Sequence, residues 1–468
     1  MFNGVTRRQF LKDVGLMGAG VALTPIAAGN LPADCLNSIA DETTAAAPLS
    51  RPSWAKVVDK PTIEIDWNAM QRFDERNSAR TGLVKYIGRD RQSELTKIQN
   101  ESLAVWLKEG KPGYTLKDVA LQAASGVGSG TQSFLGPEKV TTPADRGVSQ
   151  WTGKPEEANE IVTAALRHLG AATVGVVELE PQTTEKLIYA NDPDGKALVF
   201  ADVEQPSEDE NRRVIPRTAR WVIVWTVQMS EETLRRAPTI LGAQTTTLTY
   251  TRNRNIQLRL QTFLRSLGYM ALGESSTNAL GIAPAFGVMA GLGELGRINR
   301  LITPEYGPMV RVFKLITDLP MAATKPINAG IMRFCKTCMK CAEACPVGAL
   351  STQREPTWQV RGAWSNPGHK AFFEDSTKCR EGWARAGTNC GKCFASCPYA
   401  GKGRALIHQF AGSVSSDTDA LNGLFKSMHD KVFGKADADY VPIKDPERWW
   451  TLDLPDYGIN TMQGRKNG

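Results

Sequence analysis

Histidine is scarce in this 468-residue chain, with four in all: His168, His369, His408 and His429. No two sit at i, i+4 as on a zinc-binding helix, so histidine metal or acid–base chemistry is not expected. Long apolar runs are also missing. The longest, Val14 to Ala28, is about 15 residues, short of the roughly 20 needed to cross a bilayer. The mature chain is therefore expected to carry no transmembrane anchor, and any membrane attachment falls to a partner. Charge of one sign is not concentrated: 56 basic against 49 acidic residues leave +7, with no Lys/Arg-rich run. Nucleic acid is not an expected partner. What remains is an ordinary globular composition, 41% hydrophobic and 22% charged, which excludes a mainly disordered, collagenous or multi-span chain. The length suggests roughly three units at about 150 residues each.

Cysteine is the exception. Of nine, eight fall between Cys335 and Cys397. The first run is Cys335-x2-Cys338-x2-Cys341-x3-Cys345-Pro346. The second is Cys379, then Cys390-x2-Cys393-x3-Cys397-Pro398. The first has the bacterial ferredoxin spacing, in which the fourth cysteine ligates the other cluster of a pair. Three thiolates on a tight loop hold three corners of a 4Fe–4S cube, and the fourth reaches across to the second cube. One cluster is therefore expected on Cys335, Cys338, Cys341 and Cys397. The other is expected on Cys379, Cys390, Cys393 and Cys345, with Arg380 to Asn389 as a loop beside it. Four disulfides or two four-cysteine zinc sites are the alternatives. Disulfide frameworks do not need two C-x2-C-x3-C-P endings, and zinc sites usually pair two C-x2-C knuckles. Two adjacent cubes make an electron wire, and a wire needs a terminus.

The first 35 residues read as an export signal. Thr6-Arg-Arg-Gln-Phe-Leu-Lys12 precedes the apolar run, and small residues follow at Ala27 to Gly29, the layout of the twin-arginine route. Cys35 follows Asp34, which does not suit a lipoprotein site. Residues 36–154 read as a linker followed by an accessory region. Residues 155–330 alternate helix and strand: a helix over 156–169 with Ile161, Ala165, Leu166 and Leu169 on one side, strands over 172–179 and 221–229, and a helix carrying Ile256, Leu260, Phe263, Leu264 and Leu267 that stops at Gly268. The continuous apolarity of 221–229 predicts a strand buried on both faces. Residues 331–404 hold the cysteines, and 405–468 form a tail with Trp449-Trp450 that wraps the core or meets a partner.

Gly291-Leu-Gly293-Glu-Leu-Gly296 matches G-x-G-x-x-G, but 282–290 makes a poor preceding strand for a dinucleotide fold. A plain glycine turn beside a helix and a glycine surface under a large flat cofactor are the other readings. Tyr250, Tyr269, Arg265, Arg297 and Arg311 are the remaining candidate polar groups.

The chain resembles the corrinoid- and iron–sulfur-dependent reductive dehalogenases of organohalide-respiring bacteria. The blocks that carry the resemblance are Phe263-Leu-Arg-Ser-Leu-Gly-Tyr269, Ala290 to Arg297, Leu301-Ile-Thr-Pro-Glu-Tyr-Gly-Pro308, Thr317-Asp-Leu-Pro320, Lys325-Pro-Ile-Asn328 and Phe334-Cys335-Lys-Thr-Cys338. It implies an α+β fold, with a nitroreductase-like cobamide-binding core over 155–330 followed by a bacterial-ferredoxin-like domain with two 4Fe–4S clusters. The corrinoid would be bound base-off, in keeping with the lack of D-x-H-x-x-G. By position, Tyr250 matches the family's proton donor, Arg311 its basic partner, Asn278 an active-site asparagine and Trp383 a substrate-cavity tryptophan. Gly291, Gly293 and Gly296 would lie against the cofactor. The implied partners are a small halogenated, chiefly chlorinated, organic substrate, a small integral-membrane anchor protein and a quinol-linked donor. The implied place is the outer face of the cytoplasmic membrane, peripherally held. An exported electron-transfer subunit without corrinoid and an epoxyqueuosine reductase-like enzyme are the competing functions.

Overall fold

The computed structural model describes residues 51–126, 132–400, 422–423, 426–427, 430 and 437–454. The export signal, Cys35, most of the Ser125–Gly130 loop and much of the tail lie outside the described residues. The strands, in chain order, are β1 (Lys56–Val57), β2 (Thr173–Glu178), β3 (Ala197–Ala201), β4 (Ser207–Glu208), β5 (Arg212–Pro216), β6 (Trp221–Gln228), β7 (Glu294–Leu295), β8 (Leu301–Ile302), β9 (Val310–Thr317) and β10 (Ile327–Asn328). The helices are α1 (Leu83–Glu109), α2 (Leu116–Gly126), α3 (Pro155–Leu169), α4 (Glu231–Leu234), α5 (Ile240–Leu267), α6 (Ala283–Met289), α7 (Ile331–Cys338), α8 (Lys340–Glu343), α9 (Ser376–Ala386) and α10 (Lys392–Ala395). The fold is mixed helix and sheet.

The central sheet has the order β2–β6–β9, antiparallel throughout. In β6 every residue from Val222 to Val227 is buried. Alternation sends Val222 and Val224 into one core and Ile223, Trp225 and Val227 into the other. The continuous apolar run thus does mark a strand covered on both faces, and each large side chain in it contributes roughly 1.5–3 kcal/mol by burial. Helices α3 and α5 cover one face, through Val162, Leu166, Ile256, Leu260 and Leu264. Helix α6, the β7–β8 hairpin and the cysteine-bearing segment cover the other, through Phe286, Leu292, Leu301, Cys335 and Phe372. A smaller sheet, β3–β5–β4, contains the parallel pair β3–β5.

Helix α3 begins at Pro155, whose missing N–H costs nothing at that position, and Glu157 accepts the Lys154 N–H. Its buried stripe is Ala158, Val162 and Leu166; of the face read from the sequence, Leu166 is buried and Ile161 and Leu169 pack partly buried against the same core. Helix α5 stops at Gly268 (φ 100°) as expected but starts sixteen residues before Ile256, at a Thr239 cap. That first half is rich in threonine, which masks a helix in sequence although Gln244, Thr245 and Thr249 are buried. Helix α1, interrupted at Gly88, escaped the sequence reading because only Leu83 and Leu95 in it are buried.

The segment read as a linker is tied down, and the described part of the tail packs on the core. Residues 51–57 join the fold through the pairing of β1 with β10. In the tail, Trp449 is buried and donates to Thr233 Oγ1 at 3.0 Å, and Trp450 donates to Asp118 Oδ1 at 3.1 Å. No helix among the described residues is long and apolar enough to cross a membrane.

Candidate functional site

The two cysteine runs fold as a repeat. Cys338-Met-Lys-Cys341 and Cys390-Gly-Lys-Cys393 each place a left-handed residue after the first cysteine, Met339 at φ 51° and Gly391 at φ 67°. In each, the lysine N–H two positions on reaches the first thiol, from Lys340 to Cys338 and from Lys392 to Cys390. The lysine ammoniums are tied to Asp430 and Asp439. The eight thiols carry no disulfide. They fall into two groups by the charges they exert on each other. Cys341 responds to Cys335, Cys397 and Cys338; Cys393 responds to Cys379, Cys390 and Cys345. This division parallels the two crossed sets expected from the spacing. Cys393 also responds to Cys341, so the sets adjoin.

Burial pushes Cys335 up to about 11, against the Arg297 N–H and guanidinium that pull it down, and Cys338 up to about 12, against the Lys340 N–H. A cationic centre that takes up thiolate charge reverses that penalty. Among the described residues, no group of three or more His, Cys, Asp or Glu side chains is drawn together as one metal ion requires. A tetrahedral zinc would hold its sulfurs roughly 3.8 Å apart at Zn–S distances near 2.3 Å. The residues present fit a larger thiolate-bound cluster.

Beside the second set lies a cavity of about 580 Å³. Its wall includes Tyr250, Asn278, Arg311 and Trp383, together with Cys345, Cys379, Cys390 and Cys393. None of the first set lines it. The strand and helix periods explain the convergence. Arg311, Phe313 and Leu315 alternate onto the face of β9 that packs on α5, and Thr246 and Tyr250 stand one turn apart on that helix. Arg311 donates to Thr246 Oγ1 at 3.1 Å, and its guanidinium carbon lies 5.6 Å from the Tyr250 ring centroid and 5.2 Å from that of Phe394. The Tyr250 ring meets Phe313 edge-on at 5.7 Å, and its hydroxyl donates to Asn278 Oδ1 at 3.2 Å. Three buried donors on this wall have no hydrogen-bond partner among the described residues: Arg311 Nε, Asn366 Nδ2 and Arg380 Nε. They fit a large ligand with carbonyl or phosphate oxygens, as a corrinoid with its amide arms and nucleotide would present.

Asn278 sits in a strained turn, at φ 65°, with Leu280 also at φ 65°. Non-glycine residues there cost about 1–3 kcal/mol each unless the surroundings hold them. Asp192 does so: it accepts the Leu280 N–H at 2.7 Å and pairs with Arg213 Nη1 at 2.9 Å. Burial pushes the Asp192 carboxyl up to about 6 despite Arg213. At the start of the turn Glu274 is buried against Lys314 of β9, 2.5 Å away, which ties the turn to the strand bearing Arg311.

The glycines do not lie against the cavity. Gly291 (φ 68°) packs against the Lys325 carbonyl, 2.1 Å from where a Cβ would stand, and Gly293 likewise against that of Ile302 at 2.3 Å. Gly296 packs on Ile302 and, at 3.7 Å, on Cys335 Sγ. The run follows helix α6 and opens the β7–β8 hairpin, so it is the plain glycine turn, and its neighbour is the first cysteine set. Trp383 does face the cavity, but from helix α9: residues 376–386 are helical, capped by Asp375 and ended by Gly387, where a loop was expected. Arg380 stacks on the Trp383 ring at 4.5 Å. Sequence reasoning missed Thr246, Arg300, Arg380, Phe394 and His369 in this wall. Of these, only the histidine's rarity was a usable signal. Burial pulls His369 down to about 4, so it is neutral.

Fold and site therefore define an iron–sulfur redox protein with a large cavity against one of its two cysteine sets. Residues 50–321 match the family model described as reductive dehalogenase subunit, and residues 334–400 match the 4Fe–4S double cluster binding domain. The chain belongs to the reductive dehalogenase family. It is 35% identical to a tetrachloroethene reductive dehalogenase of Sulfurospirillum multivorans, over 66% of this chain and 62% of that protein. It is 26% identical to a trichloroethene reductive dehalogenase of Dehalococcoides mccartyi, over 97% and 98% of the two chains. The fold is similar to that of the catabolic reductive dehalogenase NpRdhA (TM-score 0.59, 22% identity), over 85% of this chain and 50% of that one. The matches thus span less than two thirds of the Sulfurospirillum protein and half of NpRdhA.

Proposed function

We propose that this chain reductively removes halogen from a small, chiefly chlorinated, organic compound, with a base-off cobamide in the 580 Å³ cavity and two 4Fe–4S clusters as its wire. The observation that carries the reading is one wall shared by Tyr250, Arg311 and Asn278 and by the four cysteines of the second set. We take Cys345, Cys379, Cys390 and Cys393 to hold the cluster nearer the substrate and Cys335, Cys338, Cys341 and Cys397 the outer one. We take residues 155–330 to be a nitroreductase-like cobamide-binding core.

The reaction R–X + 2 e⁻ + H⁺ → R–H + X⁻ needs an electron path and one proton. A cobamide, when bound, supplies a low-potential cobalt that breaks the carbon–halogen bond. The chain supplies the rest. The Tyr250 hydroxyl carries the proton that the reaction consumes. Asn278 orients that hydroxyl by accepting its hydrogen bond. Arg311, anchored on Thr246, places its positive charge against the ring and stabilises the tyrosinate that proton release leaves. Apolar walls from Ile282, Val288, Val312 and Trp383 exclude water around the substrate.

Export by the twin-arginine route, peripheral placement on the outer face of the cytoplasmic membrane, a small integral-membrane anchor and a quinol-linked donor complete the proposal as the terminal reductase of organohalide respiration. The first experiment is metal analysis with EPR on anaerobically purified protein supplied with a cobamide. About one cobalt and about eight iron per chain, followed by halide release from a chlorinated substrate, is the expected outcome. The same iron without cobalt uptake would overturn the corrinoid reading in favour of an electron carrier.

A further inference from the structure

Arg297 is 1% exposed. Its donors all end on backbone carbonyls: Nε on Cys335 at 2.9 Å, Nη1 on Ser351 at 2.6 Å and Gln353 at 2.7 Å, and Nη2 on Cys335 at 2.7 Å and Lys336 at 3.4 Å. Its guanidinium lies 4.1 Å from the Phe372 ring centroid, and its backbone N–H points at Cys335 Sγ at 3.5 Å. No carboxylate is paired with it among the described residues. The other cations near the cysteines differ. Lys340 is tied to Asp430, Lys392 to Asp439, Lys426 to Glu343 and Arg300 to Glu374. Arg380 lines the cavity and is partly exposed.

A full positive charge buried without a counter-ion is strongly unfavourable. The groups that act most strongly on the Arg297 charge are the thiols Cys335, Cys341 and Cys338, ahead of the carboxylate Glu343, which is itself paired with Lys426. The buried acid that also acts on Cys335, Glu294, is held by Thr62 Oγ1 and the Ala329 and Ile331 N–H groups, and burial pushes its carboxyl up.

We propose that Arg297 is the buried counter-charge of the cluster on Cys335, Cys338, Cys341 and Cys397, and that it raises the reduction potential of that cluster alone. Reduction adds one electron from an external low-potential donor, breaks no bond and moves no proton. It makes the thiolate-bound cluster one unit more negative. A fixed positive charge in a dry setting stabilises the more negative state. The inference rests on the ligand sets above, which iron content and the number of EPR signals test separately.

The test is an EPR-monitored redox titration of the full, cluster-loaded protein, with Arg297→Gln and Arg297→Lys beside the wild type. Arg297→Gln should move one midpoint to more negative potential and leave the other in place. The reduced-to-oxidised ratio of that cluster at a fixed poise should fall at least tenfold, about 59 mV for one electron. Arg297→Lys keeps the charge but not the five-donor fork, and its midpoints should stay close to the wild type. If Arg297→Gln fails to load the cluster while Arg297→Lys loads it at the wild-type potential, the charge is again what matters. Unchanged midpoints in Arg297→Gln, equal shifts in both clusters, or loss of the cluster in both variants would overturn the proposal. The last result would make Arg297 a backbone clasp.

Discussion

Replacing Tyr250 by phenylalanine removes one oxygen and little else. The ring keeps its edge contact with Phe313 at 5.7 Å and its place beside Arg311. The structural loss is a single 3.2 Å hydrogen bond to Asn278, worth about 1 kcal/mol. Folding, iron content and cobamide uptake should therefore survive. The chemical loss is larger. A positioned general acid contributes about a hundred- to ten-thousand-fold, which is ~3–5 kcal/mol in the barrier at 1.36 kcal/mol per decade. The loss should fall on kcat and spare KM, because the proton moves only in the transition state. The assay is anaerobic halide release with a reduced viologen as electron donor, normalised to cobalt and iron. A Tyr250→Phe variant with kcat within about threefold of the wild type would refute the proton-donor role. A variant that loses cobalt or iron would refute the claim that the hydroxyl is chemically rather than structurally important.

Other expectations follow from the same geometry. Cys397→Ser should perturb the same EPR signal as Cys335→Ser, and Cys345→Ser the same one as Cys390→Ser; the opposite grouping would break the crossed ligand sets. Gly291→Ala adds a Cβ at φ 68° and 2.1 Å from the Lys325 carbonyl. Urea unfolding should show it losing several kcal/mol, at least ~1–2 of them from the left-handed backbone alone, while folded protein takes up cobamide normally. Gly296→Ala meets the Ile302 side chain, with Cys335 Sγ at an ordinary contact distance of 3.7 Å, and should cost less. For His369, burial lowers the folded value to about 4 against an ordinary value near 6.5. The unfolded chain then binds the proton first, so stability is full above pH 6.5 and falls as pH drops toward 4, by at most ~3 kcal/mol. His369→Gln should flatten that slope in urea midpoints measured across the window; an unchanged slope would refute it.

The family resemblance placed Tyr250, Arg311, Asn278 and Trp383 by position, and all four line one wall with the second cysteine set. Their roles were not readable from local pattern. Tyr250 lies in the threonine-rich half of α5, where no apolar period announces a helix, and Arg311 is one of two basic residues, with Lys314, on an otherwise largely apolar strand. The glycine run shows the reverse error. Its spacing suggested a cofactor surface, but each glycine is there because another backbone or side chain occupies the space a Cβ would fill. Trp383 was assigned to a loop because ten residues separate Cys379 from Cys390. The Asp375 cap and the Gly387 stop instead make most of that interval a helix.

By itself the sequence determined what depends on local spacing and composition. The two cysteine runs, and the expectation that they cross-ligate two clusters, follow from C-x2-C-x2-C-x3-C-P and C-x2-C-x3-C-P, because a tight loop offers three thiolates to one cube. The burial of β6 on both faces follows from its unbroken apolar run. Only the tertiary structure decided which cluster set faces the cavity, since that depends on how 379–393 packs against α5 and β9. It alone also revealed Arg297 as a buried cation without a carboxylate partner among the described residues. Nothing in Gly-Glu-Leu-Gly-Arg distinguishes it from a surface arginine, because the absence of a counter-ion is a property of the packed neighbourhood and not of the chain.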